Sequence, residues 1–289
     1  MRPVPPLAAE VIAGYVAGSA KTVALYPLDT LTTWREVGVR STPRVGLPKY
    51  YSGVGVTLLG ALPYAAVFHT AFWYTEAALA RLVPIAFLKV LAGTAGAIAA
   101  AAVGVPFECL KHRMQVGGVG YGSPVLALRT ALRKDGVRGL YAGMSSTLAR
   151  NIPYNALHFS IFEIAVGLLR KVLAPRSAAQ AWCDLLAGAT AGALTAVLTT
   201  PMDVVNTRLQ TQDVLDTSAL RNASGLAIIG APDCTRYAGP LDATVKLVEQ
   251  DGPVALLQGA GVRCAQYAPA ALIFFVVFEA IKRYLTSPM

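Results

Sequence analysis

The feature that most limits how this chain can fold is a proline, followed two residues later by an acid, that occurs three times. Tyr26-Pro27-Leu28-Asp29, Val105-Pro106-Phe107-Glu108 and Thr200-Pro201-Met202-Asp203 repeat one short pattern, with prolines 79 and 95 residues apart. The second copy continues Cys109-Leu110-Lys111-His112-Arg113-Met114-Gln115, and the third Val204-Val205-Asn206-Thr207-Arg208-Leu209-Gln210. Small residues precede each proline at matching offsets: Gly14 and Gly18, Gly93 and Ala97, Gly188 and Gly192. That spacing lines up one helix face, where backbones in lipid approach closely. A recurrence of this kind marks an array of equivalent units.

A second proline follows in each unit, within Gly60-Ala61-Leu62-Pro63, Arg150-Asn151-Ile152-Pro153 and Gln266-Tyr267-Ala268-Pro269. Each unit therefore reads helix, polar connection, helix. The expected spans are 7–36, 54–81, 86–115, 145–173, 179–210 and 260–285. Each holds the roughly 20 apolar residues that cross a bilayer core of about 30 Å. An interior proline kinks its helix and frees a carbonyl, which neighbouring helices or a watery cavity satisfy.

Composition decides between water and lipid as the solvent. Charged residues make up 14% of the chain and the mean hydropathy is +0.51, whereas a soluble domain carries about 25% charge. A soluble solenoid would expose a charged face, yet 265–277 contains no charge at all. The expected fold class is an all-α membrane protein, one domain over 1–289, with six transmembrane helices. These form three pseudo-threefold repeats at 7–82, 83–174 and 175–285. Asp135-Gly136 and Asp251-Gly252 predict a short amphipathic helix before each in repeats two and three; the first connection lacks the element.

The net charge of +9 gathers partly in connections, at Arg40, Arg44 and Lys49 and at Arg129, Arg133, Lys134 and Arg138. Such loops suit anionic lipid. Without an interleaved basic-aromatic cluster they do not suggest a nucleic-acid partner. Cys109, Cys183, Cys234 and Cys264 lack metal or redox spacing and read as small buried hydrophobes. His69, His112 and His158 stand apart, with no nucleophile-and-base or metal set, so neither an enzyme nor a cofactor is expected.

Charge within the repeat has a specific use. The base position lies three residues after the acid, on the same helical face and near the end of a span. Charge there is costly unless paired. Three such helices around an axis pair acid to base between neighbours and close one mouth. Glu108 and Lys111 keep both signs, but Asp29 is followed by Thr32 and Asp203 by Asn206. The expectation is one ion pair, Asp29 to Lys111, with two charge-to-polar contacts, and Gln115 and Gln210 in the same gate. A second, fainter gate is expected from Glu163, Glu279 and Lys282 on the even helices.

Pro-x-acid-x-x-base in triplicate, each copy followed by a Gly-bearing turn and an even helix, closely resembles the mitochondrial carrier family over about residues 9–285. The resemblance implies a six-helix barrel in the mitochondrial inner membrane, with the first gate on the matrix side and the second on the cytosolic side. It implies alternating access by a monomer, with a small-molecule metabolite as partner and the bilayer, including cardiolipin, around it. Tyr26-Pro27-Leu28-Asp29-Thr30-Leu31, Arg150 to Phe159 and Ala255 to Gly259 are most similar to the S-adenosylmethionine carrier subfamily, which exchanges that compound for S-adenosylhomocysteine. The family's substrate residues lie three positions before the even-helix prolines. They carry over to Gly60, Arg150 and Gln266, with neighbours Ala61, Asn151 and Tyr267. Arginine followed by an amide is also similar to carriers of carboxylates and keto acids, and the missing gate bases leave a non-transporting receptor as the reading from another class.

Overall fold

The computed structural model describes residues 6–39, 45–117, 120–173, 177–215 and 237–286. In chain order its elements are α1 (Pro6–Glu36), α2 (Leu47–Tyr50), α3 (Val54–Leu79), α4 (Ile85–Val116), α5 (Pro124–Leu140), α6 (Met144–Leu173), α7 (Ser177–Leu215), α8 (Pro240–Asp251), a 3₁₀ turn (Pro253–Leu257) and α9 (Ala260–Thr286). The six long helices start and stop within two residues of the expected spans, save that α7 runs on past 210. It continues because Thr211 and Val214 are buried there, Val214 in the main apolar cluster with Trp34, Leu110 and Met114.

Each long helix carries one interior proline: Pro27, Pro63, Pro106, Pro153, Pro201 and Pro269. The six close into a ring in which α1 touches α3, α3 touches α4, and so on through α6, α7 and α9 back to α1. Beyond their prolines the odd helices α1, α4 and α7 also touch one another. The core sits at this end. Among the described residues, α3, α4, α7 and α9 are apolar enough by themselves to cross a membrane. In α1 and α6 charge interrupts the apolar run, and part of it, Lys21, Asp29 and Arg150, lines the central cavity rather than lipid.

The three even helices begin alike. Gly53, Gly143 and Gly259 precede α3, α6 and α9 with φ of +90°, +80° and +93°, a left-handed turn that only glycine adopts without strain. Two of them are also pressed against an odd helix: a Cβ would lie 3.0 Å from the Tyr26 hydroxyl at Gly53 and 2.8 Å from Asn206 at Gly143. The short helices before Asp-Gly are present, α5 bending at Gly136 and α8 ending at Gly252.

The small-residue stripe behaves differently from expectation in repeat one. A Cβ added at Gly14 or Gly18 would meet nothing within 4 Å. Close approach is made instead at Gly96 against Phe68, Gly104 against Tyr64 and Gly192 against Tyr267. At Gly104 and Gly192 the glycine makes room for an aromatic ring of a neighbouring even helix, and at Gly96 for the Phe68 carbonyl, at 2.9 Å, together with its ring.

Candidate transport site and gate

The ring encloses a cavity of about 390 Å³ lined from α1, α4, α6, α7 and α9 by Lys21, Asp29, Glu36, Glu108, Lys111, Arg150, Asp203, Arg263, Gln266 and Tyr267, among others. A second space of about 320 Å³ adjoins it between α3, α4 and α6, lined by Gly60, Ala61, Tyr64, Gly104, Phe107 and Asn151. Thr57, Glu108, Lys111 and Arg150 border both. The first is walled by charge, the second mostly by apolar surface.

One end of the cavity is closed by the residues after the odd-helix prolines. Lys111 Nζ lies 2.7 Å from Asp29 Oδ2, and Gln115 donates to the same carboxylate at 2.8 Å. Gln115 also accepts from Thr33 at 2.8 Å, so it braces the pair from below. At the next junction, Asn206 donates to Glu108 at 3.3 Å. Pairing therefore runs from the base position of one repeat to the acid of the repeat before it. Gln210 follows the same step as Gln115: its Oε1 is 2.6 Å from Nδ1 of His112, which holds in repeat two the offset of Thr33 in repeat one.

The third junction is different again. Thr32, which should face Asp203, instead accepts from Gln266 at 3.2 Å. Asp203, only 2% exposed, is held by Arg263 at 2.7 Å and by Arg150 at 3.1 Å. Arg150 reaches Glu108 at 3.1 Å with the same nitrogen. Arg263 also reaches Glu36 at 3.2 Å, and Thr207 donates to Glu36 at 2.6 Å. A buried charge is tolerable when paired and hydrogen-bonded, and each of these acids has a cation beside it.

Below these pairs runs a cycle that the odd helices complete between them. Trp34 Nε1 donates to the Gln115 carbonyl at 2.9 Å, Arg113 Nε to the Gln210 carbonyl at 3.1 Å, and Arg208 Nε to the Glu36 carbonyl at 2.8 Å. The donors all stand seven residues after their proline and the acceptors nine. Arg113 and Arg208 each have a second task on the Asp-Gly element of their own repeat, Asp135 at 2.7 Å and Asp251 at 3.8 Å. Repeat one has no such aspartate, and there an indole supplies the single donor that the cycle requires.

The expected substrate residues surround the cavity unevenly. Arg150 lines both spaces, and its Nε donates to Asn151 at 3.2 Å. Gln266 lines the charged space, and Tyr267 shares a hydroxyl hydrogen bond with Tyr154 at 3.2 Å. Gly60 and Ala61 border the apolar space, where a Cβ on Gly60 would fall 2.7 Å from the Phe107 ring. Toward the other end of the bundle, Glu163 is exposed. Glu279 pairs with Arg283 at 3.5 Å on its own helix, and Lys282 lies 5.6 Å over the Phe278 ring. Glu279 is thus drawn to a neighbour four residues away on its own helix.

Comparison with known proteins agrees with this architecture. The family model for mitochondrial carrier proteins matches residues 85–173 and again 177–289. The chain belongs to the mitochondrial carrier family. Carriers of this family are transporters of small molecules, not enzymes, and this one spans a membrane with its long helices. S-adenosylmethionine carrier 1, chloroplastic/mitochondrial, of Arabidopsis thaliana is 35% identical over 96% of this chain and 78% of its own length. The mitochondrial S-adenosylmethionine carrier protein of Mus musculus is 31% identical over 75% of this chain and 79% of its own. Mitoferrin of Dictyostelium discoideum is 29% identical over 94% and 92%.

Two parts of the carrier's site were not anticipated from the sequence. Glu36 occupies the offset held by Gln115 and Gln210 in the other repeats, and that shared offset could have shown it. Arg263 lies three residues before Gln266, where the other repeats have Thr57 and Thr147. Aligning the even helices on their prolines would have shown it as the one charged residue of the three.

Proposed function

We propose that this carrier exchanges S-adenosylmethionine for S-adenosylhomocysteine by alternating access across the mitochondrial inner membrane. In this reading Gly60, Ala61, Arg150, Asn151, Gln266 and Tyr267 form the binding level. Asp29, Glu108, Lys111, Asp203, Asn206, Gln115 and Gln210 belong to the matrix gate, and Glu163, Glu279 and Lys282 to the cytosolic one. The solute carries a carboxylate, an ammonium, a sulfonium and an adenosine, so it needs opposite charges and an apolar surface within one cavity.

The observation that carries the reading is the position of Arg150 at the border of the charged and apolar spaces, 3.1 Å from both Glu108 and Asp203. Its planar fork suits a carboxylate. The acids beside it would receive the ammonium and sulfonium. Tyr64, in the apolar space, offers a ring face to the base. The similarity to S-adenosylmethionine carriers over nearly the whole chain supports the same solute.

Proteoliposomes preloaded with S-adenosylmethionine or S-adenosylhomocysteine should take up labelled S-adenosylmethionine well above empty vesicles. Brisk exchange of a dicarboxylate or entry of iron, with no S-adenosylmethionine exchange, would overturn the proposal. The mitoferrin relative makes the iron arm worth running. Arg150→Lys, which keeps charge but loses the fork, should lower exchange by about tenfold or more.

A further inference from the structure

The repeat supplies three acids to the closed end but only one base at the matching position, Lys111. Cations must come from elsewhere, or Glu108 and Asp203 would lack a charge partner. The even helices provide them. Arg263 of α9 touches Asp203 at 2.7 Å and Glu36 at 3.2 Å. Arg150 of α6 touches Glu108 and Asp203, both at 3.1 Å. Asp29, Glu108, Asp203 and Glu36 are thus matched by Lys111, Arg150 and Arg263, and of these three cations Lys111 alone is on an odd helix.

We propose that Arg263 is the gate cation of the junction between repeats three and one, standing in for the base absent at Thr32, with Arg150 bridging the adjacent junction. The direction of pairing supports the assignment. Lys111 reaches back to Asp29 of the preceding repeat, and Asn206 reaches back to Glu108. A base at Thr32 would by the same step reach Asp203, the acid that Arg263 holds.

The consequence is mechanical. In a network made only of odd-helix pairs, opening separates the odd helices from one another. Here it must also pull α9 and α6 away from α7, α1 and α4. Arg263 lies one helical turn from Gln266, whose amide is bonded to Thr32. Movement at the binding level therefore pulls directly on the pair that keeps the end shut. This assignment depends on the chain being a carrier and not on which solute it carries.

A compensating substitution tests it. Arg263→Ala leaves Asp203 and Glu36 short of a partner. It should lower the thermal unfolding midpoint of the purified carrier and weaken closure. Closure is read with Thr211→Cys in a background lacking the native cysteines, since Thr211 is fully buried at the closed end. Labelling of that cysteine by a polar maleimide should rise about tenfold in Arg263→Ala. Adding Thr32→Lys to Arg263→Ala should recover most of the lost midpoint and return the labelling rate to within about threefold of the parent. Arg263→Lys should fall between. Unchanged labelling in Arg263→Ala, or no recovery on adding Thr32→Lys, overturns the assignment. If Arg263→Ala does not yield folded protein, Thr32→Lys/Arg263→Ala expressed directly decides the matter: a folded, closed carrier supports it and an unfolded one overturns it.

Discussion

Arg113 offers the sharpest measurement of what holds the closed end together. Its side chain is fully buried and directs three nitrogens to three acceptors: the Gln210 carbonyl at 3.1 Å, Asp135 at 2.7 Å and the Gly139 carbonyl at 3.1 Å. Arg113→Ala removes a charge partner from Asp135, whose side chain is 15% exposed, and breaking a buried pair this way costs about 3–5 kcal/mol. Two carbonyls also lose donors, at about 1 kcal/mol each where some water enters. The total is about 5–7 kcal/mol, a fall in unfolding midpoint on the order of 10 °C. Differential scanning fluorimetry of the detergent-purified carrier reads it. Removing Asp135 as well should recover part of the loss, with a coupling of about 2–3 kcal/mol in the cycle Arg113→Ala, Asp135→Ala and the double variant. Arg208 is an internal control: its aspartate stands at 3.8 Å, beyond hydrogen-bonding range, so Arg208→Ala should cost about 3 kcal/mol. If Arg113→Ala costs under about 1 kcal/mol, or adds independently to Asp135→Ala, the pairing does not hold this end and the reasoning fails.

Trp34→Phe keeps the ring but removes the donor to the Gln115 carbonyl, and should cost about 1–3 kcal/mol in the same melt, whereas Trp34→Arg should not restore it, since repeat one offers no aspartate for the rest of the guanidinium. Gly104→Val brings side-chain carbon to within 2.7 Å of the Tyr64 ring and should cost about 1–3 kcal/mol through overpacking between α3 and α4; adding Tyr64→Ala should relieve it. Gln115→Leu removes the brace under Asp29 and Lys111 and should lower the midpoint by the equivalent of about 1–3 kcal/mol.

Much of this architecture can be read along the chain because the pattern is local. Prolines in apolar runs of about 20 residues mark the spans, and Asp-Gly marks the two connecting helices. The same holds for Asp29 with Lys111 and for Glu108 with Asn206, since each partner occupies a fixed offset from its proline. What escaped is non-local. Arg263 and Glu36 are 227 residues apart and belong to different kinds of helix, so no offset within one repeat brings them together. Trp34 escaped for a chemical reason: it shares a position with two arginines but matches them only in donating one hydrogen bond. The small residues at Gly14 and Gly18 read as a packing stripe because spacing shows which face a residue shares and not what lies opposite it.

The cycle of Trp34, Arg113 and Arg208 has a direction, each repeat donating to the next and the third returning to the first. A ring of this kind has no stable two-thirds. Until α7 is in place, the carbonyl of Glu36 has no donor and Arg113 has no Gln210 to meet, so the first two repeats enter the membrane with their shared end unfinished. Sealing is then an event of late assembly, made when the last part of the chain reaches back to the first. A chain ending after α6 should remain open to protease at that end, while the full chain becomes resistant as its third repeat inserts.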